Sequence, residues 1–374
     1  MVLPRHLYIH VPFCARRCSY CDFSIAVRSI VPVDEYVGAI ARELRMRSRS
    51  AARWELDTLY LGGGTPSKLG GPGVARLLDA VRERAALAPD AEVTLEANPE
   101  DVSADAARAW RDAGVTRLSL GAQSFDERVL AWMHRTHDAA AIGRAVDAAR
   151  AAGFANLSLD LIFALPESLE RDWVRDLQAA LALAPEHLSV YGLTVEPATP
   201  LARWRERGNV EEAPESRYER EFLLAHDMLA AAGLEHYEVS NYARAGREAR
   251  HNAAYWRGVP YAAVGPSAHA FDGDTRRWNL AAYSAWLAAV VAGDDPIEGQ
   301  ERLSADSRAL EAAYLGLRTA RGLHLLPGEP AKLQPWLDAG WASIDSDETL
   351  RLTPLGWLRL DALTQYLTSI RSRY

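Results

Sequence analysis

The chain has 374 residues, 49% of them hydrophobic, which is enough for a substantial core in one large domain with a smaller appendage and excludes a disordered or fibrous protein. Its 42 basic and 50 acidic residues give a formal charge of -8 and are spread along the sequence without a long basic block, so nucleic acid is not an expected partner. No stretch reaches the roughly eighteen apolar residues of a spanning helix, and Met1 to Val11 carries no signal-peptide pattern, so a cytoplasmic protein is expected.

Short strand-like runs then alternate with helical patterns. Leu7–Val11 leads into Cys14-Ala15-Arg16-Arg17-Cys18-Ser19-Tyr20-Cys21, and Val33–Arg47 has apolar residues at helical spacing. Asp57–Leu61 is followed by Gly62-Gly63-Gly64-Thr65-Pro66 and a helix over Gly73–Ala86. Glu92–Ala97 carries Glu96 and leads to Asn98 and Glu100; a helix is expected over Ser103–Ala113. Arg117–Ala122 is followed by Gln123 and Ser124, then by a helix over Asp138–Ala152. Asn156–Ile162 contains Asp160, and a helix over Leu169–Leu183 precedes His187–Leu193 with Thr194 and Glu196. Strands alternating with helices imply a parallel sheet, here an α/β partial (β/α)6 barrel. Ligands bind at the carboxyl ends of such strands, so all six strand ends converge on one expected site.

The character changes after about Ala232, and the division is placed between a core of residues 1–235 and a C-terminal domain of residues 236–374. The second part is loop-rich around His251-Asn252-Ala253-Ala254-Tyr255-Trp256 and Gly265-Pro266-Ser267-Ala268-His269. A helix over Ala305–Thr319, a hairpin over Trp341–Leu352 and a helix over Gly356–Leu367 suggest a winged-helix-like tail.

Cys14, Cys18 and Cys21 are the only cysteines and lie within eight residues, which favours metal over a disulfide framework and a reducing compartment. Thiolates are soft ligands for zinc or an iron–sulfur cluster. A structural zinc site needs a fourth protein ligand, for which His10 or His269 would have to serve. A four-iron cluster held by three cysteines leaves one iron open to a small molecule; three free thiols are the remaining alternative. His134 and His137 lack the partners of a metal site and read as structural or substrate-facing.

Cys-x-x-x-Cys-x-aromatic-Cys after a first strand resembles the radical S-adenosylmethionine superfamily. The resemblance implies a [4Fe-4S] cluster on Cys14, Cys18 and Cys21, with S-adenosylmethionine on the open iron. Tyr8-Ile9-His10-Val11-Pro12-Phe13-Cys14, Gly62–Pro66, Glu96-Ala97-Asn98-Pro99-Glu100, Gly121-Ala122-Gln123-Ser124-Phe125 and Asp160-Leu161-Ile162 resemble its coproporphyrinogen-oxidase-like branch. That implies S-adenosylmethionine contacts from Tyr8, Tyr20, Gly63, Gly64, Thr65, Glu96, Gln123, Arg135, Asp160 and Thr194.

Oxygen-independent coproporphyrinogen III dehydrogenases of this branch carry a further cysteine two residues beyond the triad and an extra N-terminal segment. This chain has Asp22-Phe23 and seven residues ahead of its first motif, so catalysis on a porphyrinogen is the alternative expectation and not the leading one. His251-Asn252-x-x-Tyr255-Trp256 resembles the signature of the heme chaperones of the branch. By that resemblance His251 is the candidate heme ligand, beside aromatic residues able to pack on a porphyrin face. The implied partners are heme and apo-hemoprotein acceptors, including membrane-bound respiratory proteins met transiently at the membrane surface, and a second copy of the chain in a homodimer. A DNA-binding regulator using the winged-helix-like tail is disfavoured by the acidic balance.

Overall fold

The computed structural model describes residues 4–48 and 54–371. Its centre is a nine-stranded sheet. Six strands follow one another in chain order and pair in parallel: β1 His6–Val11, β2 Trp54–Gly63, β3 Ala85–Ala97, β4 Arg117–Gln123, β5 Leu157–Phe163 and β6 His187–Gly192. Helices Val33–Arg47, Gly70–Arg82, Ala104–Ala113, Ala139–Ala151 and Trp173–Ala182 fall between them, as the apolar spacing predicts. Ser103, Asp138 and Asp172 cap three of these helices, each accepting a hydrogen bond from a backbone N–H in the first turn.

The strands alternate over their central residues, β2 after a register shift between Leu56 and Thr58. Leu7, Ile9, Val11, Leu59, Leu61, Val93, Leu95, Leu118, Leu120, Leu157, Leu159, Leu161, Leu188 and Val190 are buried in the main hydrophobic cluster. The intervening positions carry Tyr8, His10, Tyr60, Glu96, Ser119, Asp160 and Ser189. Because strand side chains point to opposite faces in turn, one face of the sheet is apolar and packs on the helices while the other is polar.

One expectation is corrected. The helix expected to reach Ala86 stops at Arg82, because β3 starts at Ala85 and pairs with Trp54 on β2. The division at 235/236 does not separate two sheets. β7 Glu235–Glu238 and β8 Asn241–Ala243 extend the main sheet antiparallel beyond β6, and β9 Ala262–Val264 adds a parallel strand outside β1. Backbone hydrogen bonds left open at both edges of the six-stranded unit are thereby satisfied.

Two small sheets lie beyond. β10 His269–Phe271, β11 Thr275–Asn279 and β12 Ile297–Arg302 form one, and β13 Leu323–His324, β15 Thr349–Leu352 and β14 Ala342–Ile344 form the other. The last of these stands between helices Ala305–Leu317 and Leu360–Arg371, the helix, hairpin and helix order expected of the tail. Among the described residues no helix is long and apolar enough to cross a membrane.

Candidate functional site: a cysteine-lined cavity at the strand ends

The carboxyl ends of β1 to β6 open into a cavity of about 420 Å³. Cys14, Cys18 and Cys21 line it together with Tyr20, Gly63, Gly64, Thr65, Glu96, Gln123, Arg135, Asp160 and Thr194. The topology explains this convergence: parallel strands send every following loop to the same end of the sheet.

The cysteine loop is held by backbone bonds, joined by a Cys14 thiol contact to the Thr65 hydroxyl at 3.3 Å and by Arg17 donating to the Cys21 carbonyl at 3.2 Å. Ala26 donates to the Pro12 carbonyl at 2.7 Å and Arg28 to that of Cys14 at 3.0 Å, while Gly64 and Thr65 each donate at 2.8 Å to Val11 and Phe13. All three thiols are partly exposed to the cavity. Burial pushes the Cys14 thiol up and that of Cys21 up to about 11, so each must shed a proton when it takes a metal.

The residues present fit a cluster. A Cβ at Gly64 would stand 3.0 Å from the Cys14 sulfur and 2.8 Å from the Pro12 carbonyl, so only glycine lets this strand end approach the thiols. Among the described residues no group of His, Cys, Asp and Glu side chains is gathered around a single-ion site. His10 is not free to complete a zinc site, since its ring nitrogens contact the Tyr8 hydroxyl at 3.1 Å and the Ser24 carbonyl at 3.0 Å. Cysteines spread around one cavity suit a cluster in which each thiolate meets a different iron.

The rest of the wall suits a small zwitterionic, hydroxyl-bearing ligand. Arg135 donates to Asn98 Oδ1 at 2.7 Å and to the Gly121 carbonyl at 2.8 Å, with Nη1 3.5 Å from the Cys18 sulfur. Its Nε is buried without a hydrogen-bond partner. Glu96 accepts from the Tyr60 hydroxyl at 2.7 Å and from the Gly63 N–H at 3.0 Å, yet burial pushes its carboxyl up to about 7. Burial also raises the Asp160 carboxyl, against a hydrogen bond from Ser119 at 3.2 Å. Gln123 has a φ of 68°, a left-handed backbone rarely adopted by a residue with a side chain, where β4 ends at the cavity.

Two expected site residues lie apart from this group. Tyr8 lines a second cavity of about 590 Å³, which shares Phe23, Gly63 and Glu96 with the first and is otherwise walled by His10, Asp22 and Ser24 and by residues of the C-terminal part of the chain. His251 lies in the first turn of the helix Arg250–Trp256 and is 1% exposed. Its Nδ1 is 2.7 Å from Thr58 Oγ1 and its Nε2 is 2.8 Å from the Tyr255 hydroxyl, so both nitrogens are engaged. Burial, with His6 alongside, pushes its pKa down to about 3, which keeps the ring neutral. Glu92 on β3 accepts from the Arg250 and His251 N–H groups, closing the start of that helix. His251 therefore lies behind Tyr255, which does line the second cavity.

His134 lines the cysteine cavity with its ring edge-on to Trp204, whereas His137 is buried between the Ala122 carbonyl and Glu100. Ser119, Gly121 and Phe23 line the cavities although none was among the expected ligand contacts, Gly121 and Phe23 having appeared only within longer motifs. The first two were detectable in the alternation of Arg117-Leu118-Ser119-Leu120-Gly121, which sets small and polar residues against leucines. Phe23 carried no such signal.

Residues 8–180 match the radical SAM superfamily model. The heme chaperone HemW of Mycobacterium tuberculosis H37Rv is 39% identical over 370 residues, covering 97% of this chain and 95% of that protein. HemW of Bacillus subtilis is 33% identical, covering 84% of each chain, and HemW of Escherichia coli K12 is 41% identical, covering 71% and 70%. The solved structure of the radical SAM enzyme HemN, the coproporphyrinogen III oxidase of Escherichia coli, superposes with a TM-score of 0.81 at 24% identity over 97% of this chain and 90% of its own. That likeness establishes the fold. Identity of 33% to 41% over 70% to 95% of the length of these relatives places the chain in the HemW family of radical SAM proteins.

Proposed function

We propose that this protein is a heme chaperone that holds a [4Fe-4S] cluster and S-adenosylmethionine in the cysteine-lined cavity and passes heme to apo-hemoproteins, membrane-bound respiratory proteins among them. The observation that carries the reading is the convergence of Cys14, Cys18 and Cys21 with Glu96, Gln123, Arg135, Asp160 and Thr194 on one cavity beside a second, aromatic-walled one. The names of the relatives support the cargo, and a homodimer is the assembly we propose.

When bound and reduced, the cluster supplies an electron for cleavage of the sulfonium of S-adenosylmethionine. The chain's own residues bind and orient. Cys14, Cys18 and Cys21 ligate three irons, Gly63 and Gly64 bring bare backbone against the methionyl group, and Arg135 offers its guanidinium to a carboxylate. Glu96 and Asp160 accept from ammonium or hydroxyl donors.

Hemin titration of anaerobically reconstituted protein, followed by its Soret band, is expected to saturate. Coproporphyrinogen III given to the reduced, cluster-loaded protein is expected to remain unconverted, and product at useful turnover would reassign the chain to the enzyme class.

The carboxyl of Glu96 adds a pH dependence. It is raised to about 7, so below that value the free protein carries it protonated, and accepting from an ammonium requires its ionisation. S-adenosylmethionine affinity should therefore rise with pH up to about 7 and level off above it. Calorimetric titrations on either side of that value check the trend, and Glu96→Gln should bind more weakly with a flat profile.

A further inference from the structure

The second cavity has the chemistry of a tetrapyrrole site. Tyr255, Trp256, Tyr261 and Phe271 form much of its wall, with Leu315 beside them and Arg276 at its edge. Tyr255 and Tyr261 meet edge to face at 4.5 Å between ring centres, and Tyr261 lies 6.3 Å from Phe271. At about 590 Å³ the space falls in the range, about 300 to 1,000 Å³, of pockets that enclose a cofactor-sized ligand. A heme needs an apolar slot for its ring, a cation for its carboxylates and a ligand for its iron.

Two histidines line this cavity, His10 and His269. The ring of His10 is occupied on both nitrogens, by Tyr8 and Ser24. His269 differs. It stands on β10 with its ring stacked at 21° and 6.0 Å on that of Trp278, its antiparallel partner on β11, and it is exposed. Neither of its nitrogens hydrogen-bonds to a described residue, and burial together with Arg276 lowers its pKa, which favours the neutral imidazole that metals take. The turn before it is fixed: Gly265 has a φ of 103°, and a Cβ there would meet the His10 carbonyl at 2.5 Å. Arg276, on the strand beside His269, pairs with Glu311 at the cavity edge and presents a guanidinium where a carboxylate could share it.

We propose that heme is seated in this second cavity with His269 as the axial ligand to its iron and Arg276 as a partner for a propionate. The inference rests on the heme-handling reading above and specifies its site. His251 then acts as a positioning residue: its bond to the Tyr255 hydroxyl sets one aromatic wall, whereas ligation by His251 itself would require it to release Tyr255 or Thr58. Because Phe23, Gly63 and Glu96 belong to both cavities, a heme seated here would lie directly beside the cysteine-lined site.

The test is an anaerobic hemin titration of the full, cluster-loaded chain, read by the Soret band and by the iron–histidine signature in resonance Raman spectra. The parent is expected to bind with a histidine signature. His269→Ala should lose that signature and bind about tenfold more weakly or worse, and added imidazole should restore the spectrum, which a merely structural role would not allow. His269→Gln is the second variant, and retention of the cluster absorption shows that each variant is folded. If His269→Ala keeps the histidine signature, the assignment is overturned while heme handling stands; simultaneous loss in His251→Ala would transfer the ligand to His251. If the parent binds no hemin, the heme-chaperone reading itself fails.

Discussion

Joint replacement of Cys14, Cys18 and Cys21 by alanine is expected to remove the visible absorption and the iron of the reconstituted protein entirely, with the fold kept. Both halves of this expectation follow from the geometry. All three thiols line one cavity, and among the described residues no other Cys, His, Asp and Glu side chains gather into a metal site, so nothing remains to anchor iron. The sulfurs contribute only Cys14 Sγ to the Thr65 hydroxyl at 3.3 Å and Cys18 Sγ to Arg135 at 3.5 Å, whereas the bonds from Ala26, Arg28, Gly64 and Thr65 to backbone carbonyls of Pro12, Cys14, Val11 and Phe13 are unaffected by the substitutions. Removing three partly exposed thiols should thus change the stability of the iron-free chain by only about 1 kcal/mol, measured as a urea midpoint. Iron content per chain, assayed after anaerobic reconstitution, decides the ligand assignment, and an unchanged value would refute it. The raised Cys14 and Cys21 thiols add a direction: each proton must leave when iron binds, so cluster assembly should become more favourable as pH rises toward the Cys21 value of about 11.

How much of this was legible in the sequence depended on the length over which the signal runs. The helix Val33–Arg47 and the six parallel strands carry apolar residues at helical spacing or in strand-like runs, and they fold where the pattern places them. Ala85 and Ala86 read as the end of a helix because alanine favours one, but pairing with Trp54 and Glu55 on β2 overrides that local preference. β7, β8 and β9 have four, three and three residues, too few to show a period, so the completion of the sheet by the chain beyond residue 235 could not be read.

The site was more legible than the fold around it. In a parallel sheet the strand ends are fixed once the strands are, so residues as distant as Cys14 and Thr194 could be assigned to one place. His251 shows the opposite case. Its motif stood out, yet its surroundings are set by Thr58 and Glu92, 193 and 159 residues earlier in the chain, and no local pattern records such contacts. The sequence could suggest an imidazole near a porphyrin. It could not show that both nitrogens of that imidazole were already taken.

Glu43→Ala is expected to be the most destabilising single change in the helix Val33–Arg47, about 3 to 5 kcal/mol. The carboxylate is fully buried, and three segments of the C-terminal part converge on it. It accepts from the Gly265 N–H at 2.9 Å, from Asn279 Nδ2 at 2.7 Å and from the Trp286 indole at 2.9 Å, and it pairs with Arg47 at 3.1 Å. Alanine would leave the Gly265 N–H and the Trp286 indole N–H without their acceptor, whereas Asn279 keeps its bond to the Gly265 carbonyl and Arg47 keeps Asp295 and Asn279, and an unpaired buried group costs its full desolvation. Glu43→Gln keeps the volume and one acceptor oxygen, so it should lose less, leaving Arg47 without its charge partner within the helix. The same contacts tie the first helix of the barrel to the turn that carries His269 and to β11, which flanks it. Loosening them should therefore lower hemin affinity in Glu43→Gln while the cluster absorption, which depends on the loop after β1, persists. Urea unfolding followed by tryptophan fluorescence measures the first effect and hemin titration the second; a Glu43→Ala variant as stable as the parent would show that this junction does not hold the two parts of the chain together.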